Sequence, residues 1–282
     1  MKIDGLFVYP LKSARAIATG RAMVTLLGLA ADRRAMLVDP EGVFITQREM
    51  PALAQVTALP QAAMMTLAME GQDPLMVAPP DPGRRLEVTI WGSRVSAALA
   101  ADSINARLSA WFDRPVRLVF LDHLSDRTAN PAWAGDNAPM GFADGYQILV
   151  TTTGALAAVN RELEALGGRP VGMERFRPNV VIDYDEPFGE DFWASIRIGD
   201  VTLDLVKPCP RCVIVTQDQT TGARGDADPL PALRKLRLSE DRRATGVMFG
   251  WNAVPRGTGA IAVGDTVDIL ARRPDGWAFR ER

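Results

Sequence analysis

The sequence predicts an α+β fold in which strands dominate: a β-barrel-like N-terminal domain, then a second β-barrel domain with a few helices. Three observations predict it. Short runs with period-two alternation recur along the chain, as at residues 85–91 and 195–199. Turn clusters rich in Pro, Gly and Asp separate them. Helical periodicity is confined to a few segments.

In chain order, residues 3–9 are apolar and β-prone. Residues 35–38 and 43–45 flank a turn at Pro40, Glu41 and Gly42, which predicts a hairpin. Residues 85–91 alternate and predict a strand. Residues 101–112 predict a helix with Asp102 as N-cap. Residues 153–166 predict an amphipathic helix ending at Gly167-Gly168. Residues 195–199 and 201–206 alternate, residues 229–236 predict a third helix, and residues 260–270 predict a closing hairpin. The Pro/Gly-rich run 79–83 is a candidate linker. Residues 122–143 form a long polar loop, of the kind that usually carries function or moves. We place the domain boundary near residue 120, giving domains 1–120 and 121–282.

The chain has 282 residues, with 32 Lys and Arg against 34 Asp and Glu, a net charge of −2. That balance argues against a nucleic-acid partner, which calls for a basic excess. Two Cys and one His exclude a disulfide framework, a His-rich metal site and a complete zinc finger. They also leave too few thiolates for an iron–sulfur cluster with Cys ligands, and a Ser-His-Asp triad would have to use His123. The N-terminus lacks the apolar core of a signal peptide, and no stretch reaches the ~18 apolar residues of a membrane span. Low Cys usage suits a reducing compartment. The expectation is a soluble cytoplasmic protein with no membrane partner.

The two Cys lie together, in Pro208-Cys209-Pro210-Arg211-Cys212. A redox pair of this spacing normally opens a helix, but residues 213–216 read as a strand. Zinc lacks its other ligands. Two readings stay open: an exposed thiolate on a rigid loop beside Lys207 and Arg211, or two buried small apolar side chains. Elsewhere, an extended run at 175–179 would set Arg175, Arg177 and Asn179 on one face, as an anion or heterocycle reader. Lys12, Ser13, Arg33 and Arg48 sit in loops and, if they converge with Arg177 and Arg211, form a phosphate pocket. His123 reads as a structural or exposed loop residue. Residues 183–186 with Glu190 and Asp191 read as a solvated acidic turn, and Phe192-Trp193 as core.

In combination and order, several motifs resemble the MOSC domain, named for the C-terminal domain of molybdenum-cofactor sulfurases. They are residues 175–181 (RFRPNVV), 187–193 (PFGEDFW), Ile198-Gly199, 208–212 (PCPRC), Thr220-Thr221-Gly222, 249–252 (FGWN) and 261–265 (IAVGD). Residues 9–13 (YPLKS), Asp32-Arg33, Thr46-Gln47-Arg48 and 51–53 (PAL) resemble the β-barrel domain that often precedes it. Within that family the chain is similar to the amidoxime-reducing components of mitochondria and their bacterial counterparts.

The resemblance implies a molybdopterin cofactor and the reduction of N-hydroxylated bases and amidoximes to the amino form. It implies Cys212 as thiolate ligand of molybdenum and as the catalytic anchor. Lys12, Ser13, Arg33, Arg177, Asn179 and Arg211 would hold the pterin and its phosphate, with Asp144, Tyr146 and Asn252 close by. Cys209 receives no role. A metal already held by pterin sulfurs needs only one protein thiolate, which reconciles a metalloenzyme with so few Cys and His. Electrons would come from a separate ferredoxin- or flavin-type protein, since no iron–sulfur cluster fits this chain. The alternatives are a non-catalytic cofactor carrier and a sulfur-transfer protein.

Overall fold

A computed structural model describes residues 1–61, 64–225 and 227–280. Strands dominate, as the alternation predicts. The largest sheet has eight of them, in the spatial order Val267–Arg272, Trp193–Ile198, Val201–Pro210, Met248–Pro255, Ile148–Thr152, Val180–Asp183, Lys2–Val8 and Ile17–Thr19. Its neighbours are antiparallel except for Ile148–Thr152 against Val180–Asp183, which run parallel. Parallel strands need a crossover, and the helix Thr153–Ala165 provides it, capped by the Thr152 hydroxyl, which accepts from the Ala155 N–H at 3.1 Å. A four-stranded sheet takes Ala35–Val38, Arg117–Phe120, Ser93–Leu99 and Arg85–Ile90. Two three-stranded sheets complete the described strands.

The N-terminal strands reach across the chain. Lys2–Val8 lies beside Val180–Asp183, with Leu6 opposite Val180. Arg21–Thr25 pairs with Gly259–Ala262. The largest core therefore mixes both halves: Ile3, Leu6 and Val24 pack with Trp193, Leu203 and Trp251.

Several local expectations change. Gly259–Ala262 and Val267–Arg272 do not form a closing hairpin, because each finds its partner elsewhere, on Arg21–Thr25 and on Trp193–Ile198. Asp102 is the first residue of the helix Asp102–Phe112 rather than its cap, and its carboxylate pairs with Arg84. Residues 213–216 form a 3-10 turn instead of a strand. Trp193 is fully buried but Phe192 is exposed. The acidic turn is only partly solvated: Glu190 and Asp191 are buried.

Partners explain that burial, because a buried charge is tolerated only when paired. Asp191 accepts two bonds from Arg237, at 2.5 and 2.8 Å, and one from Trp251 Nε1 at 2.8 Å. The Arg237 side chain is 3% exposed, and its guanidinium also lies 3.7 Å from the Phe279 ring centroid. Glu190 accepts from the Thr152 hydroxyl at 2.8 Å. Its carboxyl is pushed up from 4.5 to about 7, by burial first and by the charge of Asp191 second.

Two predictions follow from this buried pair. Asp191→Ala strands the Arg237 charge in the core and is expected to cost about 3–5 kcal/mol in chemical unfolding. Unchanged stability would refute the pairing. Glu190 holds its proton more firmly when folded, so native stability falls as pH rises from 4.5 towards 7. Unfolding at about pH 5 and pH 8 is expected to show that Glu190→Gln removes a decline on the order of 2 kcal/mol.

Candidate functional site

A cavity of about 400 Å³ opens where loops of the first 100 residues meet the large sheet. All ten residues that the family resemblance assigns to the site line it: Lys12, Ser13, Arg33, Asp144, Tyr146, Arg177, Asn179, Arg211, Cys212 and Asn252. Arg48, Lys207 and Cys209 line it too. His123 is exposed and lies outside it.

Strand pairing brings these distant residues together. The backbone N–H of Phe7 donates to the Asn179 carbonyl at 2.9 Å, and the Asn179 side-chain amide donates to the Phe7 carbonyl at 3.1 Å. The Asn179 side-chain oxygen accepts from Leu149 N and from Arg33, each at 3.1 Å. One amide thus fixes three segments, and the loops beyond Lys2–Val8 emerge next to Arg177.

Four non-glycine residues of the lining have left-handed backbones: Ser13, Arg33, Trp91 and Arg177, with φ of +64°, +50°, +49° and +53°. Such positions cost energy and persist where the surroundings over-determine them, often at functional sites. Residues 175–179 consequently do not run extended. Met173–Phe176 forms a 3-10 turn before Arg177. The turn sends the Arg175 guanidinium away from the cavity to the Ala227 carbonyl, at 3.2 Å, while Phe176 joins the lining. Arg175 is therefore not part of the expected face. Arg177 donates to Gln219 Oε1 and to the Ala14 carbonyl, both at 2.8 Å.

Behind this wall stands Tyr9, which composition and spacing did not single out as a site residue. The Arg33 and Arg177 guanidiniums lie 4.4 and 4.3 Å from its ring centroid. Its hydroxyl donates to the Pro178 carbonyl at 3.0 Å, and burial pushes its pKa up to about 12, so it remains a neutral donor. Burial lowers Arg177 to about 10 and also lowers Lys12, whose ion pair with Asp144 opposes the shift. Asp144 keeps 59% of its side chain accessible through the cavity mouth. The enclosing protein favours its neutral form. The Lys12 charge and hydrogen bonds from Lys12 and Trp91 outweigh that effect and hold the carboxyl well below the usual range.

Both Cys are free and half-buried, and both sulfurs meet a guanidinium. Arg48 Nη2 lies 3.3 Å from Cys212 Sγ, and Arg211 Nη1 lies 2.9 Å from Cys209 Sγ. That is unlike two apolar fillers. Cys209 is the second-last residue of the strand Val201–Pro210, and Cys212 precedes the 3-10 turn Val213–Thr216 at its N-cap position. Rigid elements therefore grip the loop on both sides.

The lining carries six cations (Lys12, Arg33, Arg48, Arg177, Lys207 and Arg211) and one carboxylate, Asp144. Clustered cations in a protein of net charge −2 make an anion site. Arg211 Nε is buried without a partner, leaving a donor free for a ligand. Among the described residues, no group of three or more His, Cys, Asp or Glu is placed to hold a metal ion.

Comparison with known proteins gives consistent matches. The MOSC domain matches residues 137–268, and the MOSC N-terminal beta barrel domain matches residues 1–115. Mitochondrial amidoxime reducing component 2 of Rattus norvegicus is 27% identical, over 94% of this chain and 82% of its own length. Mitochondrial amidoxime-reducing component 1 of Homo sapiens is 27% identical, over 95% of this chain and 82% of its own. Molybdenum cofactor sulfurase of Homo sapiens is 27% identical over 88% of this chain, which spans only 29% of that protein.

If the cations form a phosphate cradle, Arg177→Ala is expected to weaken pyrophosphate binding to the ligand-free protein about tenfold, ~1.4 kcal/mol by calorimetry. Lys235→Ala removes a surface partner of Glu162 outside the cavity and serves as control. Equal weakening in both variants would remove the cradle.

Proposed function

We infer the function from one premise: this chain belongs to the MOSC domain family and carries the N-terminal beta barrel domain that accompanies it. On that premise the cavity binds a molybdenum cofactor and the protein is a reductase of N-hydroxylated compounds. The observation that carries this reading is the meeting of six cations with a half-buried Cys in one cavity. Convergent guanidinium forks suit a phosphate and a polar heterocycle. A soft thiolate suits a metal that brings its other ligands with it. The residues present therefore fit the group.

In this reading Lys12, Ser13, Arg33, Arg177, Asn179 and Arg211 hold the pterin and its phosphate. Asp144, Tyr146 and Asn252 border it, and Cys212 gives the one protein ligand to molybdenum. When bound there, the metal would supply two-electron redox chemistry. This chain's own residues bind, orient and balance charge. The left-handed Ser13, Arg33 and Arg177 set their side chains before any ligand arrives, which reduces the ordering cost of binding. Buried Lys12 and the more accessible Asp144 form an ion pair in the lining.

The overall change is R–NH–OH plus two electrons and two protons to R–NH2 plus water. The electrons come from a separate ferredoxin- or flavin-type protein. A cytoplasmic location and the division near residue 120 belong to the same proposal, although two of the three relatives named above are mitochondrial by name. Among the described residues no helix is long and apolar enough to cross a membrane.

The test uses metal analysis and turnover together. Purified protein is expected to contain molybdenum and pterin, and to reduce an N-hydroxylated purine with an artificial electron donor. Cys212→Ser is expected to lower that rate at least ~100-fold, ~2.7 kcal/mol. Full activity with bound metal in Cys212→Ser would overturn the assignment. Bound cofactor without turnover in the wild type would favour a carrier.

A further inference from the structure

We propose that Trp91 is a stacking platform for the substrate, so that the cavity prefers planar heteroaromatic N-hydroxylated compounds over aliphatic ones. The proposal rests on the reductase reading and names the substrate class of that same site.

The first observation is a conflict between residue and backbone. The strands Arg85–Ile90 and Ser93–Leu99 pair with Ile90 opposite Ser93, so only Trp91 and Gly92 join them. Both have left-handed backbones, φ +49° and +83°. A two-residue hairpin loop of this kind is a type I′ turn, whose first position favours Asn, Asp or Gly. A bulky aromatic there is an outlier. Turn chemistry gives no reason for Trp91.

Burial gives none either. Trp91 remains 49% exposed, among the more exposed large apolar residues of the described chain. A strained backbone and a half-exposed indole at one position point to a use outside the fold.

The location supplies that use, because Trp91 lines the cavity. Its ring is held from three sides. Nε1 donates to Asp144 Oδ1 at 2.9 Å, the Phe44 ring lies 5.0 Å away, and the Arg48 guanidinium lies 4.8 Å from the indole. That same Arg48 reaches Cys212 Sγ. The indole is therefore one guanidinium away from the sulfur. Nucleobase-like rings stack on indole faces and on guanidinium planes. A planar base gains this contact, whereas an aliphatic hydroxylamine has no ring face to offer.

The deciding variant is Trp91→Asn, which places a favoured residue in the turn. Its melting temperature is expected to equal or exceed that of the wild type. Turnover is measured on cofactor-loaded protein and normalised to bound molybdenum, for N-hydroxyadenine and for N-methylhydroxylamine. The ratio of the two kcat/KM values is expected to fall at least tenfold, mainly through KM for the purine, and Trp91→Phe is expected to recover most of it. A fall by one common factor for both substrates, or an unchanged ratio, overturns the proposal. If loaded wild-type protein reduces neither compound, the reductase reading itself fails, and calorimetric binding of adenine to the same proteins then decides the platform. Tenfold weaker binding in Trp91→Asn supports it, and equal binding overturns it.

Discussion

The pairing of Lys2–Val8 with Val180–Asp183 is the constraint on which the rest of the structure depends. It joins segments 172 residues apart through the Phe7 and Asn179 amides. Everything that follows the first strand then emerges beside everything that precedes the second. Lys12, Ser13 and Arg33 thereby face Arg177 without any loop having to search for its place. The same pairing buries Ile3 and Leu6 against Trp193 and Trp251, so the core and the cavity share one cause. A change that slipped this register by one residue would turn Leu6 outward and move Asn179 off Phe7 together.

The cavity is an electrostatic arrangement rather than a deep apolar slot. Positive charge is concentrated inside a chain that is slightly acidic overall. Neighbouring guanidiniums repel, and the structure answers with fixed partners, two neutral and one a carboxylate. Tyr9 offers its ring to Arg33 and Arg177, Gln219 accepts from Arg177, and Asp32 accepts from Arg33 at 2.6 Å. Asp144 alone among the lining residues carries negative charge, and Lys12 neutralises it. Such a site is assembled before its ligand arrives, which is where binding specificity for an anion comes from.

Much of this was legible in the sequence because the informative residues break local rules. Arg177, Asn179, Arg211 and the loop residues Lys12, Ser13 and Arg33 stood out as polar residues beside prolines and strand ends. Asp144, Tyr146, Cys212 and Asn252 were assigned only through the motifs shared with the MOSC family. All ten line the cavity, and Arg175, chosen on pattern alone, does not. What escaped depends on partners far along the chain. Glu190 and Asp191 looked solvated because Arg237, 46 residues on from Asp191, gives no local sign of its pairing. The strand Gly259–Ala262 looked like half of a hairpin because its true neighbour is Arg21–Thr25. Arg175 was placed by a period of two that the 3-10 turn at Met173–Phe176 interrupts. Trp91 did leave a signal, an aromatic before Gly at the apex of two alternating runs, but its meaning needed the φ angle.

The long reach of the first strand also sets a schedule for synthesis. Chains elongate at roughly 5–20 residues per second, so Lys2–Val8 waits about 10–35 s for a partner 172 residues behind it. During that interval its edge and its apolar face lack the native neighbour that covers them. Cys212 and Asn252 leave the ribosome later still. The cavity is therefore complete only after residue 252 has been made, long after its first lining residue, Lys12.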